Sequence, residues 1–161
     1  MKPTKILFVC TGNVFRSMIA EYCLKKYLEI NKIKNIEVAS VGITGNNPQN
    51  ILREVKEELM VLDIDCSKHR RRKLNQEHIT TFNLIVSMAE NHQKYIKEKF
   101  NYKSPLFYEI THNKKVPVKD NFEALDDTNG FLEEMYDRQM VRNIWRDIPF
   151  FVKNYMKFLK K

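Results

Sequence analysis

At 161 residues, with 43% hydrophobic and 30% charged residues and only four Gly and five Pro, the chain suits one folded domain over 1–161 and excludes a disordered or low-complexity protein. Its 28 basic against 20 acidic residues leave a net charge of +8, which favours anionic partners. The cations are not interleaved with aromatics as single-strand binders require, so nucleic acid is set aside.

Lys5-Ile6-Leu7-Phe8-Val9 is a continuous apolar run suited to a strand buried on both faces of a parallel sheet. Apolar runs of this length fall far short of the ~20 residues of a membrane span. Only Met1 to Thr4 precede it, so a secretory leader is not expected. Three cysteines at 10, 23 and 66 make neither a disulfide framework nor a zinc knuckle, and they suit the reducing cytoplasm. His78, His92 and His112 show no ligand spacing, so no metal or other cofactor is expected.

From Ser17 onward, Ile19, Ala20, Cys23, Leu24, Tyr27 and Leu28 recur at helical spacing. Ile36 to Ser40 reads as a second strand, and a helix is predicted from Pro48 through Leu62. Phe82 to Val86 is a predicted third strand, Glu90 to Phe100 a helix, and Leu106 to Ile110 a fourth strand. The segment from Phe131 to Leu159 reads as helical, with Met135, Val141, Ile144, Trp145, Ile148, Val152 and Tyr155 on its apolar side and a kink or restart at Pro149. Alternating strands and helices predict an open α/β sheet with helices on both faces. Ligands of such sheets bind beyond the carboxyl ends of the strands, where residues 10–17 fall.

That segment, Cys10-Thr11-Gly12-Asn13-Val14-Phe15-Arg16-Ser17, carries the chemistry. Five residues between a thiol and an arginine can curl so that backbone N–H groups of Thr11 to Phe15 point at one anion, supported by the positive end of the following helix. Gly12 and Asn13 are types that tolerate left-handed backbone in such a cradle. Arg16 can grip two phosphate oxygens with its planar fork. The same field favours a thiolate at Cys10, which makes it a candidate nucleophile. Ser17 is placed to start the helix and to hydrogen-bond the sulfur. With three Cys, eight Arg and 12 Ser plus Thr, chance would supply roughly 0.01 such patterns, so a merely buried strand-end cysteine is the weaker reading. Cys23, on the apolar stripe of its helix, and Cys66 are read as core or bystander residues.

Nearly the whole chain resembles the low-molecular-weight protein tyrosine phosphatase family. Besides the phosphate loop, Ser40-Val41-Gly42 is similar to its Ser-Ala-Gly turn, and the stretch Ile64 to Leu74 to its Ile-Asp-x-Ser-x-His-x-x-Arg-x-Leu motif. Phe82 to Met88, Asn91 and His92 fit its third strand and following helix. The resemblance implies a flavodoxin-like sheet of four parallel strands and metal-free hydrolysis of phosphate monoesters, phosphotyrosine in protein above all, through a cysteinyl-phosphate. It implies that Asn13 and Ser40 shape the loop, that Ser17 stabilises the thiolate, and that His69 and Arg72 are supporting residues.

The chain departs from the family in four places. The Asp-Pro-aromatic motif of the general acid is represented by Asp120-Asn121-Phe122, which nominates Asp120 as acid and Phe122 as a wall for the substrate ring, with Asp126 or Asp127 as the alternative acid. Phe15 replaces the second loop cysteine, Ile43 to Gln49 lack the aromatic lid, and Ala89 replaces an acid, leaving Glu90 or solvent to complete the network. Arsenate reductase on the same scaffold is an alternative, although 86–100 hold no cysteine to carry oxidation onward. Protein-arginine phosphatase is another, disfavoured by apolar Val14 where a threonine is usual, and a catalytically weak phosphate-binding module is a third. Arg70 and Arg71 are read as solvated surface in preference to a docking patch.

Overall fold

The computed structural model describes residues 2–44, 50–120 and 130–161. Strand β1 (Thr4–Cys10) lies between β2 (Ile36–Gly42) and β3 (Leu84–Ser87), and both pairings are parallel. Register sets Cys10 opposite Gly42 and Val9 opposite Ser87, so the strands end together. Because strand side chains alternate, Ile6 and Phe8 enter one core and Leu7 and Val9 the other. All four are fully buried, as a central parallel strand requires.

On the first face lie helices α1 (Arg16–Ile30), α2 (Arg53–Val61), α5 (Phe107–His112) and α6 (Gly130–Asn154), whose apolar side chains share one core. Phe8 meets Phe151 at 5.3 Å between ring centroids and Phe107 at 6.2 Å. Truncating such a ring to alanine costs about 3–5 kcal/mol. The second face is covered by α3 (Gln76–Thr81) and α4 (Glu90–Phe100) through Ile79 and Ile96. Asn101 and Asn113, both left-handed, end α4 and α5.

Three expectations are corrected. Among the described residues the sheet has three strands, because Leu106 makes only an isolated parallel bridge to Ser87 before the chain turns into α5. Leu106, Phe107 and Ile110 are apolar at a spacing that serves either period, and Glu109 tips it to helix by accepting the Leu106 N–H at 3.2 Å. Met135 is 53% exposed, not on the buried side of α6. No restart occurs at Pro149, since that helix runs through it to Asn154 and continues as a 3-10 turn, Tyr155–Phe158. Pro48 lies outside the described residues, and α2 begins at Arg53.

The first crossover leaves β1 toward β2, and the next returns past β1 to β3. This reversal opens a crevice at the carboxyl end of β1, where Cys10 stands.

Candidate active site

The segment 11–15 turns between β1 and α1 and brings Arg16 and Ser17 back beside Cys10. Ser17 Oγ lies 2.9 Å from Cys10 Sγ, and the Asn13 N–H donates to the same sulfur at 3.3 Å. Asn13 takes a left-handed backbone, φ 58°, whereas Gly12 does not, so the turn needs asparagine's tolerance and not glycine's. Gly42 matters for a different reason. A Cβ there would lie 2.6 Å from the Thr11 carbonyl oxygen, so only glycine lets β2 approach the loop.

A buried polar chain stiffens the loop from below. Ser40 Oγ donates to Glu21 Oε1 at 2.6 Å, and Lys25 closes the other Glu21 oxygen at 2.6 Å. Since its one proton is used, Ser40 accepts from Asn13 Nδ2 at 2.8 Å, and the second Asn13 amide hydrogen goes to Ser17 Oγ at 3.0 Å. Ser17 thereby has a proton to give, with Cys10 Sγ closer than the Val41 carbonyl at 3.5 Å. The network divides at the Asn13 amide, one hydrogen toward Ser40 and Glu21 and the other toward Ser17, whose hydroxyl sits beside the sulfur.

Asn13 is also clamped from the 64–74 stretch. His69 Nε2 lies 2.7 Å from the Asn13 carbonyl oxygen, and the Arg72 N–H donates to Asn13 Oδ1 at 3.2 Å. Arg72 contributes its backbone here, its carbonyl accepting from Gly42 N–H at 2.7 Å while its side chain is exposed.

The Arg16 guanidinium is 1% exposed. Its Nη1 donates to the Val118 carbonyl at 3.0 Å, and Nη2 faces Thr11 Oγ1 at 3.4 Å and Asp120 Oδ2 at 3.3 Å. Val118 is itself anchored by its N–H to the Met88 carbonyl at 2.7 Å, and the Tyr136 hydroxyl donates to the Lys119 carbonyl. The strap 116–120 thus delivers a 21% exposed carboxylate to the arginine.

The structure sets Asp120 against Arg16, and the sequence-predicted loop residues share one cradle, with Val14 half-buried at its side and Phe15 turned into the core. Phe122, Asp126 and Asp127 lie outside the described residues. Glu90 is exposed at the start of α4, and the buried group facing the loop is instead His92, which sequence reasoning missed as a site residue. Glu21 was missed too. Both stand at helical spacing on helices beside the loop, a position that core-stripe reasoning fills with apolar residues. Cys23 and Cys66 are buried away from this network, and burial pushes both thiols up. Among the described residues no group of His, Cys, Asp and Glu could hold a metal ion.

A thiol, a buried guanidinium fork and a carboxylate gathered around one loop are the parts that phosphoryl transfer of the cysteine type requires. Comparison with known proteins agrees. The family model "Low molecular weight phosphotyrosine protein phosphatase" matches residues 5–139, and the chain belongs to that family. It is similar to the low molecular weight protein-tyrosine-phosphatase Ptp of Acinetobacter johnsonii, 30% identical over 73% of this chain and 80% of that one. It is also similar to a protein-arginine-phosphatase of Geobacillus stearothermophilus, 33% identical over 61% of this chain and 63% of the relative. The solved structure of the YwlE arginine phosphatase from Geobacillus stearothermophilus superposes with a TM-score of 0.77 at 25% identity, covering 96% of this chain and 94% of that one.

Proposed function

We propose that this chain hydrolyses phosphate monoesters, protein phosphotyrosine first among them, through a cysteinyl-phosphate at Cys10. The observation that carries this reading is the buried hydrogen-bond network that links Glu21 through Ser40 and Asn13 to Ser17, 2.9 Å from the Cys10 sulfur, beside the buried Arg16. Cys10 Sγ attacks phosphorus in line, forming the S–P bond as the ester P–O bond breaks. Arg16 and the backbone N–H groups of 11–15 hold the equatorial oxygens. Asp120 gives its proton to the leaving phenol oxygen. In the second step it takes a proton from water, which attacks phosphorus and returns the thiolate. Ser17 receives the leaving sulfur in that step.

Val14 offers an apolar wall to an aromatic ring, which favours a phosphotyrosine ester over phosphoarginine, and Phe122 is our candidate for the opposite wall. The arginine phosphatases among its relatives make phosphoarginine the second reading. Since the nucleophile must be a reduced thiol and all three cysteines are free, we place the enzyme in the cytoplasm, working as one domain. No helix among the described residues is long and apolar enough to cross a membrane.

Turnover of phosphotyrosine peptides, phosphoarginine and arsenate, measured side by side with Cys10→Ser as control, tests this reading. Hydrolysis of the aryl ester ahead of the other two is expected. Preferential turnover of phosphoarginine would move the substrate assignment, and turnover surviving in Cys10→Ser would sink the mechanism.

A further inference from the structure

The Thr11 side chain has a partner that the Cys10 network does not use. His92 is fully buried at the third position of α4. Its Nδ1 accepts the Ala89 N–H at 3.0 Å, which assigns the ring proton to Nε2, 3.0 Å from Thr11 Oγ1. Burial, with Arg16 nearby, pushes His92 down to about 3, so the ring is neutral at working pH and Nε2 is its one donor. Arg16 Nη2 approaches the same hydroxyl oxygen at 3.4 Å.

A hydroxyl has two lone pairs and one proton. With N–H groups of His92 and Arg16 on the oxygen, the Thr11 proton is turned away from both, on the residue next to the nucleophile. Any phosphoryl group gripped by Arg16 and attacked by Cys10 brings an acceptor oxygen to that place. We propose that the Thr11 hydroxyl donates to a phosphoryl oxygen of the bound substrate and that His92 is the positioning residue that presets this donor. The inference rests on the phosphatase reading of the loop and adds a side-chain donor to its backbone ones. Such a bond to a charged oxygen corresponds to roughly 10–100-fold in affinity or rate.

The side chains allow a clean test. Asparagine at 92 can still accept the Ala89 N–H but is too short to reach Thr11, while glutamine can reach it. Calorimetric titration with inorganic phosphate and kcat/KM for nitrophenyl phosphate are measured for wild type, Thr11→Val, Thr11→Ser, His92→Asn, His92→Gln and the double variant Thr11→Val/His92→Asn. Thr11→Val should weaken phosphate binding and lower kcat/KM by about 10-fold or more, with Thr11→Ser close to wild type. His92→Asn should lose several-fold, His92→Gln should regain most of it, and His92→Asn should add nothing on the Thr11→Val background. A merely structural histidine would instead give additive losses that follow the melting temperature, and that result overturns its positioning role. Wild-type phosphate affinity and turnover in Thr11→Val would overturn the whole inference and leave the phosphatase reading intact. A wild-type protein that neither binds phosphate nor hydrolyses the ester would overturn both. Should His92→Asn fail to fold, Thr11→Val against Thr11→Ser decides the donor.

Discussion

The loop 11–15 and the strap 116–120 face each other across Arg16, yet they are held in different ways. Asn13 alone makes five hydrogen bonds, to Cys10, Ser17, Ser40, His69 and Arg72, and these tie the loop to β1, α1, β2 and the 64–74 stretch. The central part of the strap hangs on the Met88 carbonyl, the Arg16 guanidinium and the Tyr136 hydroxyl, over a groove of about 360 Å³ lined by Tyr108, Val116, Pro117, Tyr136 and Met140. The nucleophile needs one fixed geometry, because its attack is in line and its charge must be stabilised before the reaction. The strap carrying the carboxylate is instead held through its own backbone carbonyls at 118 and 119. The same division separates what each half should tolerate.

The sharpest break is at the fixed half. Cys10→Ser should abolish aryl phosphate hydrolysis while keeping the wild-type circular dichroism and melting temperature. Arg16→Lys, which retains charge but loses the planar fork, should lower kcat/KM by about 10²–10³-fold. At the strap, Asp120→Asn should lower turnover of phenyl phosphate by roughly 10²-fold and of nitrophenyl phosphate far less, because only a basic leaving oxygen needs the proton. The leaving-group series checks this, and the same steepness in Asp126→Asn or Asp127→Asn but not Asp120→Asn would reassign the acid.

Gly42→Ala probes how tightly β2 supports the loop. Its Cβ, 2.6 Å from a backbone oxygen, should cost about 1–3 kcal/mol in urea unfolding and lower activity together with stability. Tyr136→Phe cuts one tie of the strap and should change kcat by only a few-fold with little change in stability, which would mark the acid half as the adjustable one.

The smallest effect is a pH dependence. His92 binds a proton more weakly folded than unfolded, its ordinary value of 6.5 falling to about 3. The unfolded chain therefore takes up more protons below pH 6.5, and stability contributed by the neutral ring is present above 6.5 and lost as pH falls toward 3. Glu58, held down by Arg142, keeps its contribution until pH falls to its ordinary value of 4.5 and loses it between there and its lower folded value. His92→Asn should flatten the melting-temperature profile between pH 6.5 and 5, and an unchanged slope there would count against a neutral buried ring.

Legibility in the sequence follows the same divide. The loop could be read because its chemistry is packed into eight consecutive residues, and β1 because a doubly buried strand leaves an unbroken apolar run. The run 106–110 misled because five residues cannot separate a period of 2 from one of 3.6, and a single carboxylate cap decided the outcome. Glu21 and His92 were hidden for another reason: a buried polar residue on a helix shows no local pattern, and its meaning comes only from what the fold sets against it, here Ser40 and Thr11. Asp120 was nominated through a degenerate motif, and its place beside Arg16 depends on contacts from Met88, just past β3, and from Tyr136 of α6.

The central claim is that phosphate passes through the Cys10 sulfur. Rapid acid quench of the wild-type enzyme during turnover of nitrophenyl phosphate, followed by peptide mass spectrometry, tests it most directly. One phosphoryl group on the peptide containing Cys10, formed within the first turnover and lost as substrate is exhausted, is the predicted result. Full turnover with the phosphoryl group on another residue, or with no covalent adduct at any quench time, would contradict it.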